Sequence, residues 1–262
     1  MARGILIAAM DFAAAPEDEF HDWYDLEHIP ERLRVPGFLN ADRWIGTTDP
    51  KISVATYDLE QVGILHSPPY LAVGGDNASP WTKRTAKFRK LILRYEGEQL
   101  VPGDRTAPPE AAGLLHSPAY LEVGGDNASP WTRRTAKFRK LILRYEGEQL
   151  VPGERTAPRD AAGLLLVGLN VAAEHEHEFT EWYNSEHLPA LAAVRGVLCA
   201  RRYRGTGATQ RYVALYHLRA PEVSRSAEWR NAADTPWTQR LRPHFRDLLR
   251  LECRRYTRAE QR

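Results

Sequence analysis

Little in this sequence points to the extracellular, membrane or nucleic-acid worlds. Only two cysteines, Cys199 and Cys253, occur in 262 residues. Two thiols cannot build a disulfide framework or, by themselves, a zinc site, so a reducing cytoplasm is the expected compartment. No apolar run reaches the ~18 residues of a membrane span. The apolar N-terminus is interrupted by Asp11 after Met10 and is too short for a signal peptide. Neither sign of charge dominates: Lys plus Arg is 36 and Asp plus Glu is 34, a formal net charge of +2. That balance carries no electrostatic footprint for nucleic acid. The motifs of several chemistries are missing too, since there is no G-x-S-x-G and no H-E-x-x-H. What is present is a globular composition, 43% hydrophobic and 27% charged, able to bury a core.

The chain repeats itself in two ways. Residues 63–112 and 113–162 are near copies with a period of 50, differing at positions 64, 69, 72, 83, 104, 109 and 110 and their partners. Such similarity reads as a recent in-frame duplication, and two units fall short of a solenoid. A more diverged repeat has an offset of 159. Phe20-His-Asp-Trp-Tyr-Asp-Leu-Glu-His-Ile-Pro30 matches Phe179-Thr-Glu-Trp-Tyr-Asn-Ser-Glu-His-Leu-Pro189, sharing F-x-x-W-Y-x-x-E-H-[IL]-P. The same offset carries Gly37 to Gly196, Arg43 to Arg202, Gly46 to Gly205 and Tyr57 to Tyr216. Ser79-Pro-Trp-Thr-Lys-Arg84 then matches Thr235-Pro-Trp-Thr-Gln-Arg240, and Ser129-Pro-Trp-Thr-Arg-Arg134 is a third version.

Within one half, the continuous apolar runs at 4–10 and 164–169 predict strands buried on both faces. A helix follows, with Pro16 at its start and Glu17, Asp18 and Glu19 on the positive end of its dipole. It ends or kinks before Pro30, which has no N–H to donate. Residues 38–45 and 52–59 read as a hairpin. Ser67-Pro68 and Ser79-Pro80 start two further helices, the second reaching about Arg89, and 91–98 closes as a strand. The order βαββαβ is the ferredoxin-like split motif. The fold class is therefore α+β: two tandem ferredoxin-like units, residues 1–112 and 163–262, separated by a duplicated helix-strand segment, 113–162. Because the central strands are apolar on both faces, each sheet needs a second cover. The other half's sheet provides it, giving an intrachain sheet-on-sheet barrel. Two copies compete for one slot beside the first sheet. Copy one is expected there because its connection from Leu59 is short, and the spare copy invites swapping between chains in a homo-oligomer.

With W-Y-x-x-E-H-[IL]-P on the first helix of a βαββαβ unit, both halves resemble the dimeric α+β barrel superfamily, in particular its EthD-like and stress-responsive members. The superfamily includes monooxygenases, isomerases, cyclases, haem-handling enzymes and proteins without known activity. The resemblance implies a ligand pocket between helices and sheet, no obligatory cofactor, and haem as a further option.

His28 and His187 recur at matching positions, with Tyr24 and Tyr183 one turn earlier. Imidazole and phenol on adjacent turns suit proton transfer on a shared substrate oxygen. The plainer alternatives are a histidine bonding free helix carbonyls and an aromatic in the core. Glu27 and Glu186 sit in an apolar stripe, where a carboxylate needs a partner, and Arg43 and Arg202 are the expected structural ion-pair partners. Trp81 with Arg84, and Trp237 with Arg240, share a helix face. They either hold a flat anionic ligand or pack on the sheet with the arginine reaching water. The 174–178 run, Glu-His-Glu-His-Glu, has no metal-ligand spacing and reads as a solvated helix start. No metal is expected. The function expected is a small-molecule enzyme acting by His/Tyr proton transfer on an aromatic or polyketide-like substrate. The alternative is a non-catalytic ligand-binding or structural barrel.

Overall fold

The computed structural model describes residues 3–101, 156–205 and 209–258. Most of the duplicated segment, including all of 105–150, lies outside the described residues. Eight antiparallel strands close into a barrel: β1 (Gly4–Asp11), β2 (Phe38–Gly46), β3 (Ile52–Leu59), β4 (Lys90–Val101), β5 (Gly163–Val171), β6 (Val197–Gly205), β7 (Tyr212–Leu218) and β8 (Phe245–Arg255). Around the barrel the order is β1-β3-β2-β8-β5-β7-β6-β4. Strands 4-1-3-2 of the first half are thus followed by the second half's strands in the corresponding order. The seams are short, Trp44–Gly46 against Cys253–Arg255 and Gly97–Val101 against Arg202–Gly205. β4 comes from copy one of the 50-residue repeat, and it pairs with β1 along its length.

Strand alternation sorts the side chains into two environments. Ile5, Ile7, Trp44, Val54, Leu93, Tyr95, Leu164, Leu166, Tyr203 and Leu215 fill the lumen. The opposite faces of the same strands carry helices. Phe20, Trp23, Tyr24, Tyr57 and Tyr70 form the helix-on-sheet core of the first half. Phe179, Trp182, Tyr183, Tyr216 and Trp229 form that of the second. Residues 156–162 run beside the barrel. Ala157 and Ala161 are buried, and the Arg255 guanidinium donates to the carbonyls of Pro158 and Ala161.

The first helix does not stop at Pro30. It runs as α1 (Glu17–Asp22), a π-helical stretch (Trp23–His28) and α2 (Ile29–Leu33). The second half repeats this as α5 (Glu176–Trp182), Tyr183–His187 and α6 (Leu188–Ala192). The Ile29 N–H donates to the Tyr24 carbonyl, and Leu188 to Tyr183, a reach of five residues. A proline collides with the carbonyl four residues back. Widening the turn relieves that collision without breaking the helix, and it re-aims the side chains of the W-Y-x-x-E-H motif. Between β3 and β4 lie α3 (Pro68–Leu71) and α4 (Pro80–Thr85), the latter shorter than expected. Their counterparts are α7 (Ala227–Ala233) and α8 (Pro236–Leu241).

Candidate functional site

The two repeated motifs lock onto each other. The Trp23 indole donates to Thr82 Oγ1 at 2.9 Å, and Glu27 Oε1 accepts from Ser79 Oγ at 2.5 Å and Thr82 Oγ1 at 3.3 Å. In the second half Trp182 donates to Thr238 at 3.2 Å and Glu186 accepts from Thr235 at 2.5 Å. The expected Glu27–Arg43 and Glu186–Arg202 ion pairs are therefore corrected. Each glutamate holds the capping hydroxyl that starts α4 or α8. The π-helical turn swings position 25 toward β2 instead. Arg43 pairs with Asp25 at 3.1 Å and lies 2.9 Å from His21 Nδ1, and Arg202 donates to Asn184 at 2.8 Å.

The Trp–Arg pairs do share a helix face, with the Arg84 and Arg240 guanidinium carbons 6.0 and 5.9 Å from the Trp81 and Trp237 ring centroids. Their charges are directed at the first helix of each half. Arg84 pairs with Glu19 at 2.5 Å, and Arg240 and the Trp237 indole both donate to Glu178. Both arginines are largely exposed, so the geometry makes these pairs clamps between helices.

His28 and His187 take equivalent places. Each ring packs on the tryptophan of its motif, His28 on Trp23 at 4.3 Å and His187 on Trp182 at 4.2 Å, with the tyrosine edge-on at 5.5 and 5.2 Å. Each Nδ1 is buried without a partner. Burial, reinforced by Arg32, Arg89, Arg43 and Arg94, holds His28 well below the usual imidazole range. Burial, then Arg242, lowers His187 to about 3. Both are neutral at pH 7. Burial raises the Tyr24 and Tyr183 phenols, which stay protonated.

Beyond that shared frame the halves diverge. In the first, among the described residues, the Tyr24 hydroxyl meets only the Met10 sulfur, at 3.8 Å, and the buried Tyr57 hydroxyl has no partner. Arg94 reaches the Tyr70 hydroxyl at 3.2 Å, Arg32 lies 5.2 Å from the Tyr70 ring centroid, and Arg89 lies 4.3 Å from that of Trp23. In the second half the repeat places Leu169 at the position of Met10, Leu191 at Arg32, Trp229 at Tyr70 and Phe245 at Arg89. Phe245 packs against Trp182 at 5.7 Å, and the Tyr183 and Tyr216 hydroxyls bond each other at 3.3 Å. The halves differ in their tyrosine hydroxyls and in Arg89, whose place Phe245 takes, while the unpartnered imidazole nitrogen is common to both. Tyr57, Tyr70, Arg32, Arg89 and Arg94 were not singled out from the sequence as site residues. The available signal was the loss of Arg32 and Arg89 at the matching second-half positions.

A metal-bound imidazole usually anchors its other nitrogen on a carboxylate, carbonyl or water. Among the described residues no carboxylate or carbonyl takes either Nδ1. Two surface clefts among the described residues, of about 590 and 610 Å³, are lined by Pro16, Pro50 and Arg254 and by Trp229, Arg242 and Arg250, and neither includes His28 or His187. Among the described residues no group of three or more His, Cys, Asp or Glu side chains is placed to hold a metal ion. No helix among them is long and apolar enough to cross a membrane.

No protein-family model and no curated protein sequence matches the chain. Solved structures do. An anthrone oxidase-like protein aligns with a TM-score of 0.55 at 9% identity, covering 97% of this chain and 92% of its own. An inferred monooxygenase of Fusobacterium nucleatum aligns at 0.52 and 9% identity, covering 98% and 94%. A point mutant of chlorite dismutase from Candidatus Nitrospira defluvii aligns at 0.50 and 13% identity, covering 99% and 93%. At these identities the likeness is one of fold, and the chain is an α+β barrel of the architecture shared by these proteins.

Proposed function

We propose that the chain is a small-molecule enzyme whose working pocket lies between the helices and the sheet of the first half. The barrel reads as two ferredoxin-like βαββαβ units fused by internal duplication, of the EthD-like or stress-responsive type, with the second unit kept as scaffold. The substrate is an aromatic or polyketide-like molecule with an acidic O–H or C–H. Neutral His28 accepts that proton. The protonated Tyr24 hydroxyl, one turn earlier, donates a hydrogen bond to the oxygen that gains charge. The likeness to an anthrone oxidase-like protein supports this substrate class.

The observation that carries the reading is the contrast between equivalent positions of the two halves. Among the described residues the Tyr24 and Tyr57 hydroxyls lack strong partners in the first half, while the equivalent Tyr183 and Tyr216 hydroxyls bond each other and Phe245 packs on Trp182 in the second. Polar groups buried without partners are rare in folded proteins, and each calls for an explanation such as a bound water, ion or ligand. The test is exchange of the acidic methylene hydrogens of anthrone in D2O, followed by proton NMR. The protein accelerates exchange above the buffer rate, and His28→Gln removes the acceleration without lowering the melting temperature. Acceleration unaffected by His28→Gln would remove His28 from the chemistry. Binding without exchange would make the pocket a ligand-binding site only.

A further inference from the structure

Arg89 stands just before β4 and lacks the oxygen acceptors that the neighbouring arginines, and Arg201 in the lumen, have among the described residues. Arg43 meets Asp25, Arg201 meets Asp58, Arg94 meets Glu96 and the Tyr70 hydroxyl, and Arg32 meets the Val73 carbonyl and Glu31. Arg89 lies over the Trp23 indole, and its hydrogen bond among the described residues goes to the Met10 thioether at 3.6 Å. Sulfur of this kind is a weak acceptor, and no carboxylate of the described residues pairs with the guanidinium. A largely buried cation without a counter-charge is unfavourable. Burial and the neighbouring Arg32 accordingly lower its pKa.

The groups around Arg89 share the same lack. Tyr24 donates to the same Met10 sulfur. The Tyr57 hydroxyl is buried with no acceptor. Arg32, Arg43 and Arg94 add positive charge around His28, and Tyr70 is already taken up by Arg94. Among the described residues, Arg89 and the Tyr24 and Tyr57 hydroxyls gather here without a strong acceptor to receive them. In the second half Phe245 occupies the position of Arg89 and packs on Trp182, and the Tyr183 and Tyr216 hydroxyls bond each other.

We propose that Arg89 holds an oxyanion of the ligand, so that the first-half pocket takes an acidic phenol or enol and binds it as the anion. The inference rests on the proton-transfer reading for the identity of the anion. The ligand O–H bond breaks, its proton forms an N–H bond on His28, and the electron pair stays on the oxygen. That oxygen receives the Arg89 N–H groups and the Tyr24 and Tyr57 hydroxyls. Net charge in the pocket is unchanged, and the anion offsets the cations that, after burial, keep His28 from taking a proton.

The probe is 2-naphthol, whose phenol and phenolate differ in absorbance, titrated with pH in excess protein. The bound naphthol should ionise at least one pH unit below the free compound, equivalent to about tenfold tighter binding of the anion. Arg89→Met should abolish that displacement, and Arg89→Lys should keep part of it. Bound naphthol that ionises at or above the pH of the free compound, or that does not bind at all, would overturn the proposal in the wild-type protein alone. An unchanged displacement in Arg89→Met would do the same. The two readings separate cleanly. A naphtholate preference without carbon-acid exchange retires the proton transfer and keeps Arg89. Exchange without the preference does the reverse.

Discussion

Replacing Asp58 by Asn should cost this barrel more than almost any other single polar substitution. The lumen is lined mainly by aliphatic and aromatic side chains. Across it, Asp58 on β3 of the first half meets Arg201 on β6 of the second, with Nη1 2.5 Å from Oδ1. Arg201 is 0% exposed and Asp58 4%. The other Asp58 oxygen accepts the Ala157 N–H at 2.8 Å, and Arg201 Nη2 lies 2.8 Å from His217 Nε2. Burial and the Arg201 charge hold His217 well below the usual imidazole range, so it remains a neutral acceptor. Asparagine keeps the shape and an acceptor for Ala157, yet removes the negative charge that Arg201 meets at 2.5 Å. Removing one partner of a buried ion pair typically costs about 3–5 kcal/mol. At roughly 2–4 °C per kcal/mol for a domain of this size, the melting temperature should fall by roughly 6–20 °C. Urea denaturation followed by far-ultraviolet circular dichroism gives the free energy, and calorimetry gives the midpoint. The double variant Asp58→Leu with Arg201→Met should recover most of the loss, because apolar replacement of the whole pair removes the desolvation cost with it. An Asp58→Asn protein within about 1 kcal/mol of wild type, with an unchanged denaturant slope, would refute the reasoning.

Three further outcomes follow from the same contacts. His21 is lowered to about 4 by burial and then by Arg43, so the folded state prefers it neutral. Its contribution is complete above the unfolded value near 6.5 and declines as pH falls toward 4. The loss is about 2 kcal/mol by pH 5, with His28 and His187 acting in the same direction. Urea midpoints at pH 7.5 and pH 5 check it, and a flat profile would contradict it. Deleting residues 113–162 should leave a cooperatively folding protein, because β4 already comes from copy one. The stretch 106–112 differs from 156–162 only at two positions and can follow the same path into Gly163. Loss of cooperative melting on that deletion would make the second copy part of the core. Glu27→Ala and Glu186→Ala should each cost about 1.5–3 kcal/mol through the lost hydrogen bonds to the caps of α4 and α8, as read from urea midpoints. A cost below about 0.5 kcal/mol at both sites would show that the lock between motifs does not hold the helices.

Element order was legible because short-range signals agree with the fold. Apolar runs, Ser-Pro and Thr-Pro helix starts and the repeated motif all placed their segments within a few residues. The closed barrel also followed from strands apolar on both faces. Partners were harder to read, because pairing depends on geometry that a repeat does not encode. Arg43 and Arg202 stood out by their matching positions, yet the π-helical turn decides that they meet Asp25 and Asn184. Arg201 adjoins Arg202, and only strand alternation sends one into the lumen and the other to the helices. Asp58 looks like an ordinary polar strand end until the opposite sheet is in place. Arg89 lies among Lys87 and Lys90, a run that reads as a solvated turn. Its isolation appears only when β1, the first helix and β4 are assembled around it.

The contrast between the two halves is tested most directly by carbon-acid exchange in matched variants, His28→Gln and His187→Gln, compared with wild type. The geometry predicts that exchange falls to the buffer rate in His28→Gln and is retained in His187→Gln, with both proteins folded. Loss in His187→Gln with retention in His28→Gln, or equal rates in all three proteins, would contradict it.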